Sequence, residues 1–235
     1  MQNRYAGDVG DYVKLGLLRK LAVGRKLGIG WYLYPDESHN DDGKHVGYLA
    51  KPTLWRHADP ELFDSLSKVS KIARSVEALQ KLEIIDADYF GEPLISASLS
   101  AKQRPAWRRA WFARQLQTLR KCDLVFADPD NGITDDQSHR ARERTFGKKI
   151  PMAEVREFST GRTAIIYHHN TRRAGGHSAE VDFWLSQLGS GSMAVRANAF
   201  SCRTFFVLNP SEETARRVRE FCQTWADQRV TLHGA

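Results

Sequence analysis

Residues 123–132, Asp-Leu-Val-Phe-Ala-Asp-Pro-Asp-Asn-Gly, join a short apolar run directly to a polar turn. The apolar run is typical of a buried strand, because it is short and ends in turn-forming residues. Residues 28–35, 82–86 and 163–167 repeat this arrangement, and stretches with helical spacing lie between them. Alternation of strands and helices predicts a doubly wound α/β fold with a mainly parallel sheet.

The carboxyl-terminal part of the sequence breaks this alternation. Residues 193–200 and 204–208 are two predicted strands whose connection is too short for a crossover helix, so they predict an antiparallel hairpin. Ser-Glu-Glu-Thr from Ser211 predicts the start of a last helix, because serine caps helices and acids favour the first turn. The other predicted helices cover residues 11–23, with Asp11 as the amino cap, 57–80, 94–121 with a break near Pro105, 151–158 and 176–188.

Length and composition suit a single α/β domain over residues 1–235, since 41% of the residues are hydrophobic. The sequence has neither a signal peptide nor an apolar run near the roughly 20 residues of a membrane span. We therefore expect a cytoplasmic protein with no membrane partner. The three cysteines have no metal-site spacing and are an odd number, which argues against a zinc site or a disulfide framework. The oligomeric state is not indicated.

The net charge of +7 is unevenly distributed. Residues 1–100 contain 13 Lys and Arg against 14 Asp and Glu, whereas residues 101–235 contain 22 against 14. Residues 102–121 carry seven cations and no acid, interleaved with aromatic residues. This combination suits phosphate contact with base stacking, so we expect a nucleic-acid partner, RNA or DNA. The expected contacts are Arg104, Arg108, Arg109 and Arg114. The alternative is a solvated helix whose tryptophans pack inward.

Three polar clusters follow predicted strands, where α/β folds place their sites. The first contains Asp128, Asp130 and Asn131, which are candidate catalytic residues or simply turn formers. The second is the acidic segment 36–42, which suits a hard metal ion such as Mg²⁺ or Mn²⁺ or a solvated loop. The third contains His168 and His169. Adjacent residues on a strand point to opposite sides, so only one of these histidines is expected to face the site, and His168 is the candidate.

Several segments resemble, in order, motifs of the bacterial ribosomal-RNA adenine-N6 methyltransferase J family, within the class I S-adenosylmethionine-dependent methyltransferases. Tyr5-Ala-Gly-Asp-Val-Gly-Asp-Tyr-Val-Lys14 is similar to the family's A-G-N-x-A-D-x-x-K motif. Tyr89-Phe-Gly-Glu-Pro-Leu-Ile95 resembles Y-P-G-S-P-L-I, and Phe205-Phe-Val-Leu-Asn-Pro210 resembles the terminal I-V-I-N-P strand. Asp128-Pro129 occupies the place of the D-P-P-Y motif. The resemblance extends over most of the chain.

The resemblance implies a Rossmann-like methyltransferase fold with S-adenosylmethionine as cofactor. It places Asp128 at the target amine, which this residue would orient. The residues that it places near the cofactor are Lys14, Asp36, His39 and Glu92. The sequence departs from the family's pattern where Asp130 replaces the second proline, Asn131 replaces the stacking aromatic residue, and an acidic loop replaces the glycine-rich loop.

Two other functions stay open from the residues alone. The first is a metal-dependent phosphodiesterase or nuclease, in which Asp36, Asp128 and Asp130 hold Mg²⁺ or Mn²⁺ and His168 assists proton transfer. The second is a non-catalytic nucleic-acid-binding module. The sequence lacks a G-x-G-x-x-G loop, a P-loop and a G-x-S-x-G elbow, which argues against nucleotide-phosphate loops and serine hydrolases.

Overall fold

The computed structural model describes residues 1–37, 45–72 and 74–234. Its strands are β1 (Leu27–Trp31), β2 (Asp88–Phe90), β3 (Leu124–Asp128), β4 (Gly132–Thr134), β5 (Lys149–Pro151), β6 (Thr163–His169), β7 (Met193–Ala197), β8 (Arg203–Leu208) and β9 (Val230–Leu232). Seven of them form the main sheet in the order β2-β1-β3-β6-β8-β7-β9, and β4 and β5 form a separate parallel pair. Neighbours from β2 to β6 pair in parallel, whereas β8 runs antiparallel to both β6 and β7.

Helices cover both faces of the main sheet. They are α1 (Val9–Ala22), α2 (Pro52–Trp55), α3 (Pro60–Ile72), α4 (Val76–Lys81), α5 (Arg104–Thr118), α6 (Met152–Phe158), α7 (Gly176–Leu188) and α8 (Glu212–Thr224). Apolar residues of α1, α3 and α8 form one core with the sheet, and residues of α5, α6 and α7 form a second core on the opposite face. The α/β, doubly wound fold with a carboxyl-terminal antiparallel hairpin is therefore confirmed.

The register supports the two pairings that decide this topology. Val125 of β3 lies beside Ala164 of β6 in a parallel ladder, and Val195 of β7 lies opposite Phe205 of β8 in the hairpin. The second hairpin strand is inserted between β6 and the first. As a result, the residue that begins β8 lies at the sheet edge where β3 and β6 end.

Local predictions of secondary structure fail at three places, and the predicted amino cap of the first helix is also wrong. Residues 82–86 form no strand, because Glu83 has a left-handed backbone (φ +50°) and Ile85 packs into the core instead, so β2 begins only at Asp88. The helical region predicted at 57–80 is divided between α3 and α4. Of the region predicted at 94–121, only the part after the predicted break near Pro105 is α-helical, as α5 from Arg104.

The amino cap of the first helix is Asp8, whose carboxylate accepts a hydrogen bond from the backbone N–H of Asp11 at 3.0 Å. Asp11 was predicted as the amino cap, and this prediction is wrong. It lies inside the helix, where its side chain is free to contact other elements. Among the described helices, none has both the length and the apolar character needed to cross a membrane.

Candidate active site

A cleft lies at the carboxyl edge of the parallel strands, where α/β sheets place ligands. It encloses ≈ 790 Å³, including the solvent space at its mouth. The first turn of α1, the turn after β3, and the ends of β6 and β8 form its walls. Asp128, Asp130 and Asn131, the predicted catalytic residues of the strand tip, all line this cleft.

The base of the cleft contains a buried network of two carboxylates and one ammonium group. The Nζ atom of Lys14 lies 2.6 Å from Oδ1 of Asp11 and 2.7 Å from Oδ2 of Asp128. Lys14 and Asp11 share one face of α1 because they are three residues apart. All three side chains are almost fully buried. Two carboxylates share one cation, so the network has a net charge of −1 when both are ionised.

The protonation of this network follows from burial and pairing. Burial raises the pKa of Asp128, and the nearby charge of Lys14 only partly offsets that effect. Burial likewise raises the pKa of Asp11. Burial alone would lower the pKa of Lys14, but the charges of Asp11 and Asp128 raise it, so Lys14 stays protonated.

Asp130 and Asn131 occupy the wall beside this network. Oδ1 of Asp130 lies 2.8 Å from the amino group of Met1, and the amide of Gln2 donates to the other carboxylate oxygen. Asn131 is exposed, and its backbone N–H donates to the carbonyl of Lys148 at 2.8 Å. The amide side chain of Asn131 is therefore turned to the cleft and solvent, whereas Asp130 is already paired.

The two histidines of β6 point to opposite faces of the sheet, as predicted, but His169 is the one that lines the cleft. His168 is buried on the other face, where its Nδ1 accepts a hydrogen bond from the N–H of Ile133 at 3.0 Å. Its Nε2 lies 3.1 Å from Oε1 of Glu180. Because Nδ1 is an acceptor, the ring proton is on Nε2. The structure thus places His168 outside the cleft, where its two hydrogen bonds connect the turn after β3 to α7.

Glu180 connects His168 to the loop that follows β6. Thr171 donates to its carboxylate through the backbone N–H and the hydroxyl, both at 2.7 Å. Burial would raise the pKa of Glu180, but the hydrogen bonds from His168 and Thr171 outweigh burial and lower it to about 2. Glu180 is therefore ionised at neutral pH and holds the loop that follows β6.

Comparison with protein-family models, curated proteins and solved structures finds no match to this chain. The resemblance to the methyltransferase J family consequently depends on the quoted motifs alone. Two of these motifs, which end at Lys14 and begin at Asp128, are in direct contact although they are 114 positions apart. The case for a functional site here therefore depends on geometry rather than on similarity.

Of the other residues predicted to lie near the cofactor, Asp36 and Glu92 do not line the cleft. Asp36 is exposed, and its Oδ1 accepts a weak hydrogen bond from the N–H of Arg4 at 3.3 Å. Glu92 lies on the surface and forms a bidentate ion pair with Arg114, at 2.5 and 2.8 Å. His39 lies outside the described residues, as do Asp41 and Asp42.

Three of the four arginines that were predicted to contact phosphate, all on the basic helix α5, have partners within the chain. Arg108 is buried and forms a bidentate pair with Glu154 at 2.7 and 2.8 Å. Arg104 donates to backbone carbonyl groups, and Arg114 is paired with Glu92. Of the four predicted contacts, Arg109 alone is exposed with no ion pair to the described part of the chain. Trp111 packs inward, which is the alternative interpretation of this segment.

Sequence reasoning missed Phe200 in the hairpin loop and Arg203 at the start of β8. Arg203 lines the cleft with only 4% of its surface exposed. Phe200 is 51% exposed, has a left-handed backbone (φ +61°), and lies 5.7 Å from the ring of His45, which also lines the cleft. A bulky side chain at positive φ is strained, and such strain often marks a functional position. The only signal in the sequence was a phenylalanine and an arginine within a short turn.

Of the three predicted metal ligands, Asp128 and Asp130 line the cleft. Within residues 1–37, 45–72 and 74–234, no group of three or more His, Cys, Asp or Glu side chains is placed to hold a metal ion. Asp128 has a cationic partner already, because Lys14 occupies the position next to its carboxylate. Asp36, the third predicted ligand, does not line the cleft.

Proposed function

We propose that this protein is an S-adenosylmethionine-dependent methyltransferase that acts on nucleic acid. The acceptor is the exocyclic amine of a base, for which the resemblance suggests adenine N6. The observation that carries the proposal is the contact between Lys14 and Asp128 in a cleft at the carboxyl end of the central parallel strand. This contact fixes the position of the strand-tip carboxylate beside a protonated lysine.

Asp128 has the properties needed to orient an amine. Its Oδ2 is held by Lys14, whereas no described residue donates a hydrogen bond to its Oδ1. An immobilised carboxylate oxygen with a free lone pair accepts an N–H of the target amine and so directs the nitrogen lone pair. The raised pKa of Asp128, which burial causes, also makes the carboxylate a better acceptor for the proton that the amine loses.

The charge of the cleft fits the cofactor. S-adenosylmethionine, when bound, would supply the methyl group from a sulfonium cation. When both carboxylates are ionised, the network of Asp11, Lys14 and Asp128 has a net negative charge and would stabilise a cation at the base of the cleft, because charges interact strongly where water is excluded. Asp8 and Asp130 add two further carboxylates to the same walls.

The proposal of a nucleic-acid substrate is supported by the rim of the cleft. Asn131 cannot stack on a base, but the exposed ring of Phe200 lies next to the cleft residue Ser201 and offers an aromatic surface. Arg172 is exposed and follows the cleft residue His169 by three positions, so it lies within about 10 Å of it along the chain. These residues replace α5 as the expected contacts.

The decisive experiment measures cofactor binding and methyl transfer separately. Calorimetric titration with S-adenosylhomocysteine, and methyl transfer to RNA and DNA oligonucleotides, are compared for wild type, Asp128→Asn and Asp130→Asn. We expect Asp128→Asn to abolish methyl transfer while the affinity for S-adenosylhomocysteine changes only a few-fold. Asp130→Asn should retain much more activity. Asp227→Asn, at a side chain that is 85% exposed, is the matched control.

Two results would overturn the proposal. The first is an absence of S-adenosylhomocysteine binding to the wild-type protein. The second is equal loss in Asp128→Asn and Asp130→Asn together with measurable affinity for Mg²⁺ or Mn²⁺, because two metal ligands should be comparably important. That pattern would favour the nuclease.

A further inference from the structure

Arg203, the first residue of β8, is a buried cation that forms no ion pair with the described residues. Only 4% of the surface of Arg203 is exposed, and the residue lines the cleft. Its Nε and Nη1 atoms have no hydrogen-bond acceptor among the described residues. Buried guanidinium N–H groups that stay unpaired cost free energy, so such an arrangement calls for an acceptor that is not part of the chain.

The surroundings of Arg203 keep this guanidinium accessible from the cleft. It lies against Gly10 in the first turn of α1, where an added Cβ atom would be 3.2 Å from its Cζ. Glycine therefore lets the guanidinium approach the amino end of a 14-residue helix, whose peptide dipoles also favour a negative charge. The same Cβ atom would be 2.9 Å from Oδ1 of Asp8.

Asp8 does not satisfy Arg203. Its Oδ1 accepts the capping hydrogen bond from the N–H of Asp11, and in the described part of the chain it forms no ion pair with Arg203. On β6, the neighbour across the ladder is His169, and Tyr167 lies on the same face. Neither an imidazole nor a phenol neutralises a guanidinium, so none of these three described side chains forms an ion pair with Arg203.

We propose that Arg203 forms an oxyanion-binding subsite of the cleft, which takes a carboxylate or phosphate group of the bound ligand. A planar guanidinium binds either group through two parallel hydrogen bonds. The cleft then has separated charges, with a negative network at Lys14 and a positive subsite at Arg203. This separation suits a zwitterion such as an amino-acid moiety. The subsite itself does not require the proposed methyl transfer, although the identity of its ligand rests on it.

The test uses ligands that differ in their oxyanion. S-adenosylhomocysteine carries a carboxylate, methylthioadenosine lacks the whole amino-acid moiety, and inorganic phosphate and a 5′-phosphorylated oligonucleotide carry phosphate. Each is titrated calorimetrically into wild type, Arg203→Gln and Arg196→Gln. Arg196 is the matched control because it lies on the same hairpin but opposite Thr204, on the other face.

We expect Arg203→Gln to weaken one class of oxyanion ligand by about 10- to 100-fold, as the loss of charge-assisted hydrogen bonds implies. Methylthioadenosine should bind wild type and Arg203→Gln alike. A loss confined to S-adenosylhomocysteine assigns the carboxylate, whereas a loss confined to phosphate and the oligonucleotide assigns the nucleic-acid backbone. If phosphate alone binds at Arg203, the subsite stands and the proposed cofactor fails.

A second measurement keeps the proposal falsifiable if Arg203→Gln folds poorly. The side-chain Nε–H resonance of Arg203 in the wild-type protein should shift on addition of the oxyanion ligand, and Arg203→Met should be at least as stable as wild type without ligand. Equal binding of every ligand to wild type and Arg203→Gln would overturn the subsite while leaving the methyltransferase proposal intact. So would strong destabilisation of Arg203→Met together with an unshifted resonance, because Arg203 would then be a structural residue.

Discussion

The Nζ atom of Lys14 lies 2.7 Å from Oδ2 of Asp128 and joins the first helix to the tip of the central strand. The pair is buried at the base of the cleft, and Asp11 shares the same ammonium group at 2.6 Å. Stability and proposed chemistry therefore depend on the same contact. A change in Lys14 should affect both.

Lys14→Met should lower the free energy of unfolding by about 3–5 kcal/mol, because it leaves Asp11 and Asp128 buried without their cation. Urea unfolding monitored by circular dichroism measures the change. Lys20→Met is the control, since Lys20 lies on the same helix in an exposed ion pair with Glu220 and should leave stability nearly unchanged. Similar effects of the two substitutions would show that the network does not stabilise the fold.

Glu180→Gln should destabilise the protein at pH 7 by about 1.5–3 kcal/mol, the usual contribution of hydrogen bonds to a buried charged group. The folded-state pKa of Glu180 is lowered from 4.5 to about 2, so its stabilising effect is complete above pH 4.5 and is lost as the pH falls toward 2. Urea unfolding of wild type and Glu180→Gln at several pH values tests this sign. A difference that grows with acidity would contradict the assigned hydrogen bonds.

Arg108 and Arg109 are sequence neighbours with opposite expected behaviour. Arg108→Met should cost about 3–5 kcal/mol of stability, because it leaves the Glu154 carboxylate of a buried bidentate pair uncompensated. Arg109→Met should leave the thermal midpoint almost unchanged, because Arg109 is exposed. If Arg108→Met instead keeps its stability and loses nucleic-acid affinity, the sequence-based expectation for Arg108 is restored.

Phe200→Ala should weaken binding of single-stranded oligonucleotides by about 5- to 150-fold if one base stacks on the ring. Its effect should be independent of salt, because no phosphate contact is lost. Arg172→Gln should instead lower the slope of log affinity against log salt concentration by roughly 0.7–0.9, as one released counterion implies. Fluorescence anisotropy at several salt concentrations separates the two effects. If both variants bind like wild type, Phe200 and Arg172 do not contact the nucleic acid.

Gly132→Ala should lower the free energy of unfolding by more than the cost of placing alanine at a positive φ, because the added Cβ atom also meets His168. Gly132 has φ +84°, and an added Cβ atom would lie 2.4 Å from Nδ1 of His168. Gly161→Ala is the matched control, since Gly161 also has positive φ (+70°) but no atom within 4 Å of the added Cβ. We expect about 1–2 kcal/mol for the control and a larger loss for Gly132→Ala in urea unfolding. Equal losses would mean that the turn does not depend on its contact with His168.

The fold was predictable where its signals are local. The apolar runs at 124–127 and 163–167, and the short connection between the two hairpin strands, each indicate their structure within about ten residues. The strand predicted at 82–86 is wrong because a short apolar run looks the same whether it pairs in a sheet or packs beneath it. Pairing with β1 decides between these outcomes, and it selects Asp88–Phe90.

The sequence by itself determined that Asp128, Asp130 and Asn131 follow a buried strand at the edge where ligands bind, because strand and turn chemistry are adjacent along the chain. Only the tertiary structure decided that Lys14 and Arg203 meet them in one cleft. The partners of a charged side chain come from elements that are distant in the sequence and meet only in the folded protein. A long side chain can also reach several neighbours, so sequence alone does not select its partner.

Tertiary packing also decides the partners of the basic helix and of the two histidines. Composition indicates that residues 102–121 are basic, but whether Arg108 faces solvent or Glu154 depends on how α5 packs against α6. Strand periodicity predicts that His168 and His169 point in opposite directions. Which of them reaches the cleft is decided by the elements that cover each face, because α7 packs over His168 whereas His169 lines the cleft.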